Sequence, residues 1–155
     1  MSEPHFNIVL FQPEIPTNTG NIGRLCVASH CKLHLIGPMG FSIDEKQVRR
    51  AGLDYWVHLD HQYYENFEQF LQANDCLDRV SFFTTKAEQS LFDKKFSRGD
   101  WLMFGPETRG LPEELFKSRA AQSYRIPMFG QTRSLNLANS VSIVAYEGIR
   151  QLGLL

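Results

Sequence analysis

The sequence predicts an α/β fold, a mostly parallel sheet flanked by helices. Two observations carry that reading. Short apolar runs rich in Val, Ile, Leu and Phe alternate with segments whose apolar residues recur at helical spacing, the pattern of a parallel sheet wrapped by helices. Several of the apolar runs also end in polar loops rich in Gly, Pro, Asn and Thr, where a parallel sheet presents its ligand-binding edge.

The elements follow in order. "FNIVLFQP" (6–13) is a strand stopped by Pro13. "TNTGNIGRLCVASH" (17–30) reads as a helix capped by Thr17 or Asn18. "KLHLIGP" (32–38) is a strand closed by Gly-Pro. "SIDEKQVRRAG" (42–52) is a short helix, with acid at its front, base at its back and Gly52 as a C-cap. "YWVHL" (55–59) reads as a strand and "YYENFEQFLQAN" (63–74) as an amphipathic helix. "RVSFFTTK" (79–86) and "DWLMFGPE" (100–107) are apolar strands. "LPEELFKSR" (111–119) is a helix with Pro112 in its first turn, and "YRIPM" (124–128) is a strand. The final helix runs over 134–153, with Leu137, Val141, Val144 and Ile149 forming a buried stripe. Its front is unusually polar, with Ser134, Asn136, Asn139, Ser140 and Ser142, residues that favour caps over helix interiors.

With 155 residues, the chain suits one domain over 1–155 with a real core, and there is no repeat or linker. Hydrophobic residues make up 43% and charged residues 21%, ordinary for a soluble globular protein. No apolar run approaches the ~18 residues of a membrane span, and no basic segment precedes the first apolar run, so neither a span nor a signal peptide is expected. Cys26, Cys31 and Cys76 make no CxxC pair, which fits reduced thiols in the cytoplasm. A net charge of −1 gives no global nucleic-acid signal, but Arg24, Arg49, Arg50, Arg109, Arg125 and Arg133 fall in or beside polar, Gly-rich segments that could form local phosphate-binding patches.

Three loops at strand ends concentrate chemistry: "PEIPTNTGNIGR", "FGPETRGLP" and "PMFGQTRSLN". Each alone reads equally as a turn, but three in one short domain point to a site. The common phosphate and hydrolase motifs GxxxxGK[ST], GxGxxG, GxSxG and HExxH are absent. "CVASHCKLH" fits no usual zinc spacing, so Cys26 and Cys31 read as core cysteines and His30 and His34 as surface histidines.

"PEIPTNTGNIGR", "LMFGPETRGLP" and "RIPMFGQTRSLNLANSVSIVAYE" together resemble the motifs of the SPOUT superfamily of RNA methyltransferases. The similarity is strongest to its ribose 2′-O-methylating branch, and within it to members that act on the wobble ribose of leucine tRNAs, a cytidine or modified uridine. It extends through "GPMGF" (37–41) and "RRAGLDYW" (49–56), nearly the whole chain.

The resemblance implies a C-terminal trefoil knot, which no periodicity argument would propose because knots are almost absent from proteins. It implies S-adenosylmethionine as cofactor, tRNA as substrate, a homodimer, and no metal or membrane. Carried over position by position, Phe83, Thr84, Gly105, Glu107, Ile126, Met128, Ser134 and Leu135 would border the cofactor. Arg24, Ser134 and Asn136 would be catalytic, and Arg24, Arg133 and Tyr146 would contact RNA. Arg24 matches an arginine described as a general base. A guanidinium is effectively always protonated, so stabilising developing alkoxide charge is physically easier. Read from residues alone, Phe83, Ile126 and Met128 are also ordinary core, and Tyr146 could lie at a dimer interface. Gly23, a poor helix former beside Arg24, stands out. A ribosomal RNA methyltransferase and a non-catalytic RNA-binding module of the same fold are the alternatives.

Overall fold

The computed structural model describes residues 2–43, 50 and 55–155, so most of the helix predicted over 42–52 lies outside the described residues. Seven strands form one sheet in the order β3-β2-β1-β6-β4-β7-β5, and every described pairing is parallel. They are β1 Phe6–Phe11, β2 Lys32–Ile36, β3 His61–Tyr64, β4 Val80–Phe83, β5 Gln89–Ser90, β6 Asp100–Phe104 and β7 Ser123–Arg125. The α-helices are α1 Pro16–Ser29, α2 Phe67–Ala73, α3 Glu113–Phe116 and α4 Leu137–Gln151.

β1 lies inside the sheet, between β2 and β6, and is buried on both faces. Phe6, Ile8 and Leu10 point to one side, where they meet Ile22 and Cys26 of α1 and Leu137, Val141, Val144 and Ile149 of α4. Val9 and Phe11 point to the other, among Phe70, Phe82, Met103 and Phe116. The stripe foreseen on α4 is therefore core, each side chain contributing about 2 kcal/mol by burial. Gly148 permits this contact, since a Cβ there would meet the Phe6 ring at 2.5 Å.

β1 and β6 are neighbours in register, Ile8 opposite Leu102 and Leu10 opposite Phe104. α1, which follows β1, packs on the first face, and α3, which follows β6, on the second. The chain thus leaves the two carboxyl ends in opposite directions and opens a crevice between them, where ligands bind in such sheets.

Several sequence expectations are corrected. Residues 55–59 are not a strand: Trp56–His58 is a 3₁₀ turn closed by Leu59 N–H donating to the Trp56 carbonyl at 3.1 Å. Its apolar side chains pack onto α1 instead, for Trp56 and Leu59 would meet a Cβ on Gly23 at 3.1 and 3.2 Å. That contact explains Gly23: a small residue lets the turn lie against the helix. The edge strand is His61–Tyr64, so the following helix begins at Phe67, capped by Asn66, whose side chain accepts from the Gln69 N–H at 2.9 Å. α1 takes no cap from Thr17 or Asn18; Pro16 occupies its first turn and Ile15 precedes it without a side-chain bond. α3 spans one turn rather than 111–119, with Pro112 just before it. α4 begins at Leu137, leaving Ser134 in the loop. The strands predicted over 6–13, 32–38, 79–86, 100–107 and 124–128 all stop earlier, and the two-residue β5 was not foreseen.

His34 is buried, at 1% exposure, rather than on the surface. Its ring joins Tyr64 Oη to Nδ1 at 3.0 Å and Asn7 Oδ1 to Nε2 at 2.9 Å. Asn7 in turn donates to the Gly99 carbonyl at 3.2 Å, and Asn74 donates to Tyr64 Oη at 3.0 Å. The set closes with a neutral imidazole: Nε2–H donates to Asn7 and Nδ1 accepts from Tyr64. Burial, with help from the Lys32 charge, pulls the His34 pKa down to about 3. The unfolded chain binds the proton more readily, so stability is lost as pH falls below the ordinary histidine range and continues to fall toward pH 3. From pH 7.5 to pH 5 this histidine should cost about 2 kcal/mol. Chemical denaturation at the two pH values should show that loss, with a smaller one in His34→Gln. Equal losses in both proteins would contradict the assignment.

Candidate functional site

A cavity of about 440 Å³ opens at the carboxyl ends of β4, β6 and β7. Its size is that of a site for a small ligand. Phe83 and Thr84 reach it from the end of β4, Gly105 and Glu107 from the loop after β6, and Ile126, Met128, Ser134 and Leu135 from the segment after β7. Arg133 and Asn136 also line it, as do Lys86 and Arg109. All eight positions carried over as cofactor neighbours are thereby brought together.

The walls differ in character. Phe83, Ile126, Met128 and Leu135 make an apolar side, and Phe83 stacks on Phe104 with ring centroids 5.0 Å apart. Thr84, Ser134 and exposed backbone make the polar side. An apolar slot with a few fixed polar groups suits a flat heteroaromatic ring with a polar tail.

The three loops are locked to one another by hydrogen bonds. The Glu107 carboxylate accepts from the Glu14 N–H at 2.7 Å, the Ile15 N–H at 2.8 Å and Asn18 Nδ2 at 3.2 Å. These donors lie at or just before the start of α1, where free N–H groups and the helix dipole favour a negative charge. Glu14 returns the contact, accepting from Thr108 N–H and Oγ1, each at 2.8 Å, with Arg109 Nε 3.6 Å away. These donors hold the Glu14 carboxyl below the usual carboxylate range, the Thr108 backbone N–H foremost.

The polar front of the last helix now has its explanation. Asn136 caps α4 by accepting from the Asn139 N–H at 3.1 Å, and its Nδ2 donates to Asn18 Oδ1 at 3.1 Å. Asn18, 5% exposed, passes the connection on to Glu107. One relay, Asn139–Asn136–Asn18–Glu107, therefore joins the loops after β1, β6 and β7. Both ends of the Asn136 and Asn18 amides are engaged, so these side chains hold the cavity's shape. Ser142 donates to the Ala138 carbonyl at 2.9 Å, an internal helix bond.

Two carried-over residues lie outside the cavity lining. Arg24 is exposed on α1, its guanidinium carbon 4.6 Å from the centroid of the Tyr55 ring. Tyr146 stands on the outward face of α4, half-exposed beside Ile143. Sequence reading gave Tyr55 no role; the Arg24–Tyr55 contact joins positions 31 apart, which no local pattern reveals.

The SpoU rRNA methylase family matches residues 5–146. The chain belongs to the SpoU methylase family. Among the relatives of this SpoU chain, the tRNA (cytidine(34)-2′-O)-methyltransferase of Aeromonas hydrophila is 51% identical over 148 residues, covering 95% of this chain and 94% of that protein. The protein of the same name from Escherichia coli K12 is 49% identical over 148 residues, at 95% and 94% coverage. A solved structure described as giving insight into 2′-OH methylation of C/U34 on tRNA superposes with a TM-score of 0.88 at 45% identity, covering 97% of each chain. An AdoMet-bound rRNA methyltransferase from Sinorhizobium meliloti superposes with a TM-score of 0.84 at 25% identity, covering 97% of this chain and 58% of the longer one. The mostly parallel sheet flanked by helices is thus the fold of SpoU methyltransferases.

Proposed function

We propose that this SpoU protein transfers a methyl group from S-adenosylmethionine to the ribose 2′-OH of the wobble nucleotide, a cytidine or modified uridine, in the anticodon loop of leucine tRNAs. The observation that carries the reading is the cavity at the carboxyl ends of β4, β6 and β7, its walls held together by the relay through Asn18 and Glu107. Relatives matched over nearly their whole length act on position 34 of tRNA, and longer family members bind the same cofactor. We assign the whole chain to one methyltransferase domain acting in the cytoplasm, with the C-terminal segment threaded as the trefoil knot that the family resemblance implies.

The residues present fit the cofactor. Phe83, Ile126, Met128 and Leu135 would take the adenine, and Thr84, Gly105, Ser134 and the neighbouring backbone would take its polar edges and the ribose. When bound, S-adenosylmethionine supplies a methyl carbon already activated by a positive sulfur, which leaves as a neutral thioether when the ribose oxygen takes the methyl. The protein must align the 2′-oxygen with the C–S bond and accommodate the hydroxyl proton. Alignment alone supplies several kcal/mol. Arg24 would grip a phosphate and stabilise charge developing on the oxygen; Ser134, whose side chain at the cavity wall has no hydrogen-bond partner among the described residues, would face the reacting ribose. Asn136 would act by holding that wall, and Arg133 and Tyr146 would touch RNA.

A homodimer belongs to the same proposal. Ile143 and Tyr146 leave an apolar patch on the outward face of α4, and α1 packs beside α4 with Arg24 on its own outward face. Pairing these faces would draw Arg24 into the assembly, next to cavities whose own linings lack it.

Calorimetry with the product S-adenosylhomocysteine should show one site per chain, unaffected by chelator, and light scattering should report twice 17.8 kDa. Mapping of 2′-O-methylation in tRNA incubated with the protein should show a gain at the wobble ribose of leucine isoacceptors. Methylation of ribosomal RNA but of no tRNA would sink the substrate assignment, and failure to bind the product would sink the cofactor.

A further inference from the structure

Phe129 is 97% exposed, the most exposed of the large apolar side chains among the described residues. It follows Met128 directly, and the exposed run 129–134 that it begins leads to Arg133 and Ser134 on the cavity wall. Met128 lines the cavity, and Phe129 stands out from the same strand of loop into solvent. Nothing in the fold asks for an aromatic ring there. A polar residue would suit a turn containing Gly130, Gln131 and Thr132 better, and a fully solvated phenyl ring forgoes all the burial that stabilises phenylalanine elsewhere.

The surroundings say what the ring meets. Three cations, Lys86, Arg109 and Arg133, line the same cavity. Lys86 is paired with Glu113 at 2.6 Å and Arg109 lies 3.6 Å from Glu14, whereas Arg133 has no acidic partner among the described residues. An exposed ring that directly follows a residue lining a ligand cavity, four positions before an unneutralised guanidinium that also lines it, matches the pairing by which single-stranded nucleic acid is held: a base stacked on an aromatic face and a phosphate on a cation. Phe129 is in the loop after β7, not on the α1 or α4 faces assigned to dimerisation.

We propose that Phe129 is the platform on which an unpaired base of the RNA, next to the nucleotide being methylated, stacks, with Arg133 taking the adjoining phosphate. This rests on the RNA-methylation reading above and adds a specific binding residue to it. Stacking on a side chain needs a base that is free of the helix, so the platform selects loop nucleotides over duplex.

The test uses the full-length protein, a fluorescent anticodon stem-loop RNA, and a control hairpin whose stem is identical but closed by a short, structured loop. Phe129→Ala should weaken stem-loop binding roughly tenfold or more, raise KM for that RNA with little change in kcat, and leave the weaker affinity for the control hairpin unchanged. Phe129→Trp and Phe129→Tyr should restore binding, while Phe129→Leu, apolar but without a π face, should not. Affinity for S-adenosylhomocysteine should be the same in all variants. Equal stem-loop affinity in wild type and Phe129→Ala would overturn the proposal. So would full rescue by Phe129→Leu, equal losses on both RNAs, or a Phe129→Ala protein that has lost its dimer rather than its RNA. If the wild type binds product and methylates RNA, any of these results defeats the platform alone; if it does neither, the functional reading itself has failed.

Discussion

Arg24→Ala should lower kcat on the order of 10²-fold or more while leaving cofactor affinity almost unchanged. The two halves of that expectation have separate origins. The cavity is lined by residues after β4, β6 and β7 and by the approach to α1, and Arg24 is not among them. Its removal therefore costs the adenosyl group nothing. If Arg24 meets charge that exists only in the transition state, that part of the loss falls on kcat and kcat/KM together, and the lost phosphate contact adds a rise in KM for the RNA. Arg24→Lys should recover little, because an ammonium cannot copy a planar fork that stacks on Tyr55 and presents two donors at once. Isothermal titration with S-adenosylhomocysteine and single-turnover methylation measure the two halves independently. Weakened product binding with intact single-turnover methylation would show that Arg24 serves the pocket and not the chemistry.

What could be read from the sequence divides along the range of the interactions involved. The stripe Leu137, Val141, Val144 and Ile149 is a local repeat, and all four residues are buried as the spacing requires. The three polar loops were visible because Gly, Pro and Asn mark strand ends locally, and they do converge on one cavity. The pairings that give these loops their form were not visible. Asn136 reaches Asn18 across 118 positions and Asn18 reaches Glu107 across 89, and no spacing rule links residues so far apart. Glu107 illustrates the consequence. It does line the cavity, but its carboxylate is occupied by donors around the start of α1, a structural duty hidden from any local reading. The misplaced strand at 55–59 has a similar cause. "YWVHL" has strand composition, but Gly23 offers a flat place on α1 where Trp56 and Leu59 bury themselves, and tertiary packing overrides propensity. Nothing local to His34 signals its burial; the partners that allow it, Asn7 and Tyr64, come from neighbouring strands.

Gly105→Ala should damage both stability and the cavity. A Cβ on Gly105 would collide with the backbone of Gly110 and Leu111, lying 2.9 Å from Leu111 Cα and nearer still to the Leu111 nitrogen and the Gly110 carbonyl carbon. Backbone cannot turn aside as a side chain can. The loop that folds back here is fixed at both ends. Gly110 N–H donates to the Pro106 carbonyl at 2.9 Å, and Gly110 adopts φ 69°, which a residue with a side chain rarely accepts. Leu111 is buried in the core on the second face of the sheet. Relief must therefore come from lifting residues 106–110, and with them Glu107, away from the start of α1. That movement breaks the relay that joins the three loops. Overpacking of this kind costs about 1–3 kcal/mol, which lowers Tm by roughly 2–12 °C in a chain of this length. Product affinity should fall at least about tenfold, since the lifted loop is one wall of the cavity. Gly130→Ala supplies the contrast: its Cβ would meet nothing within 4 Å, so Tm and product affinity should stay at wild-type values. Thermal melts and calorimetry on the two variants decide the matter. An unchanged melt and unchanged product binding in Gly105→Ala would mean that the loop yields at the strand end without cost, and that the relay through Glu107 is not what shapes the cavity.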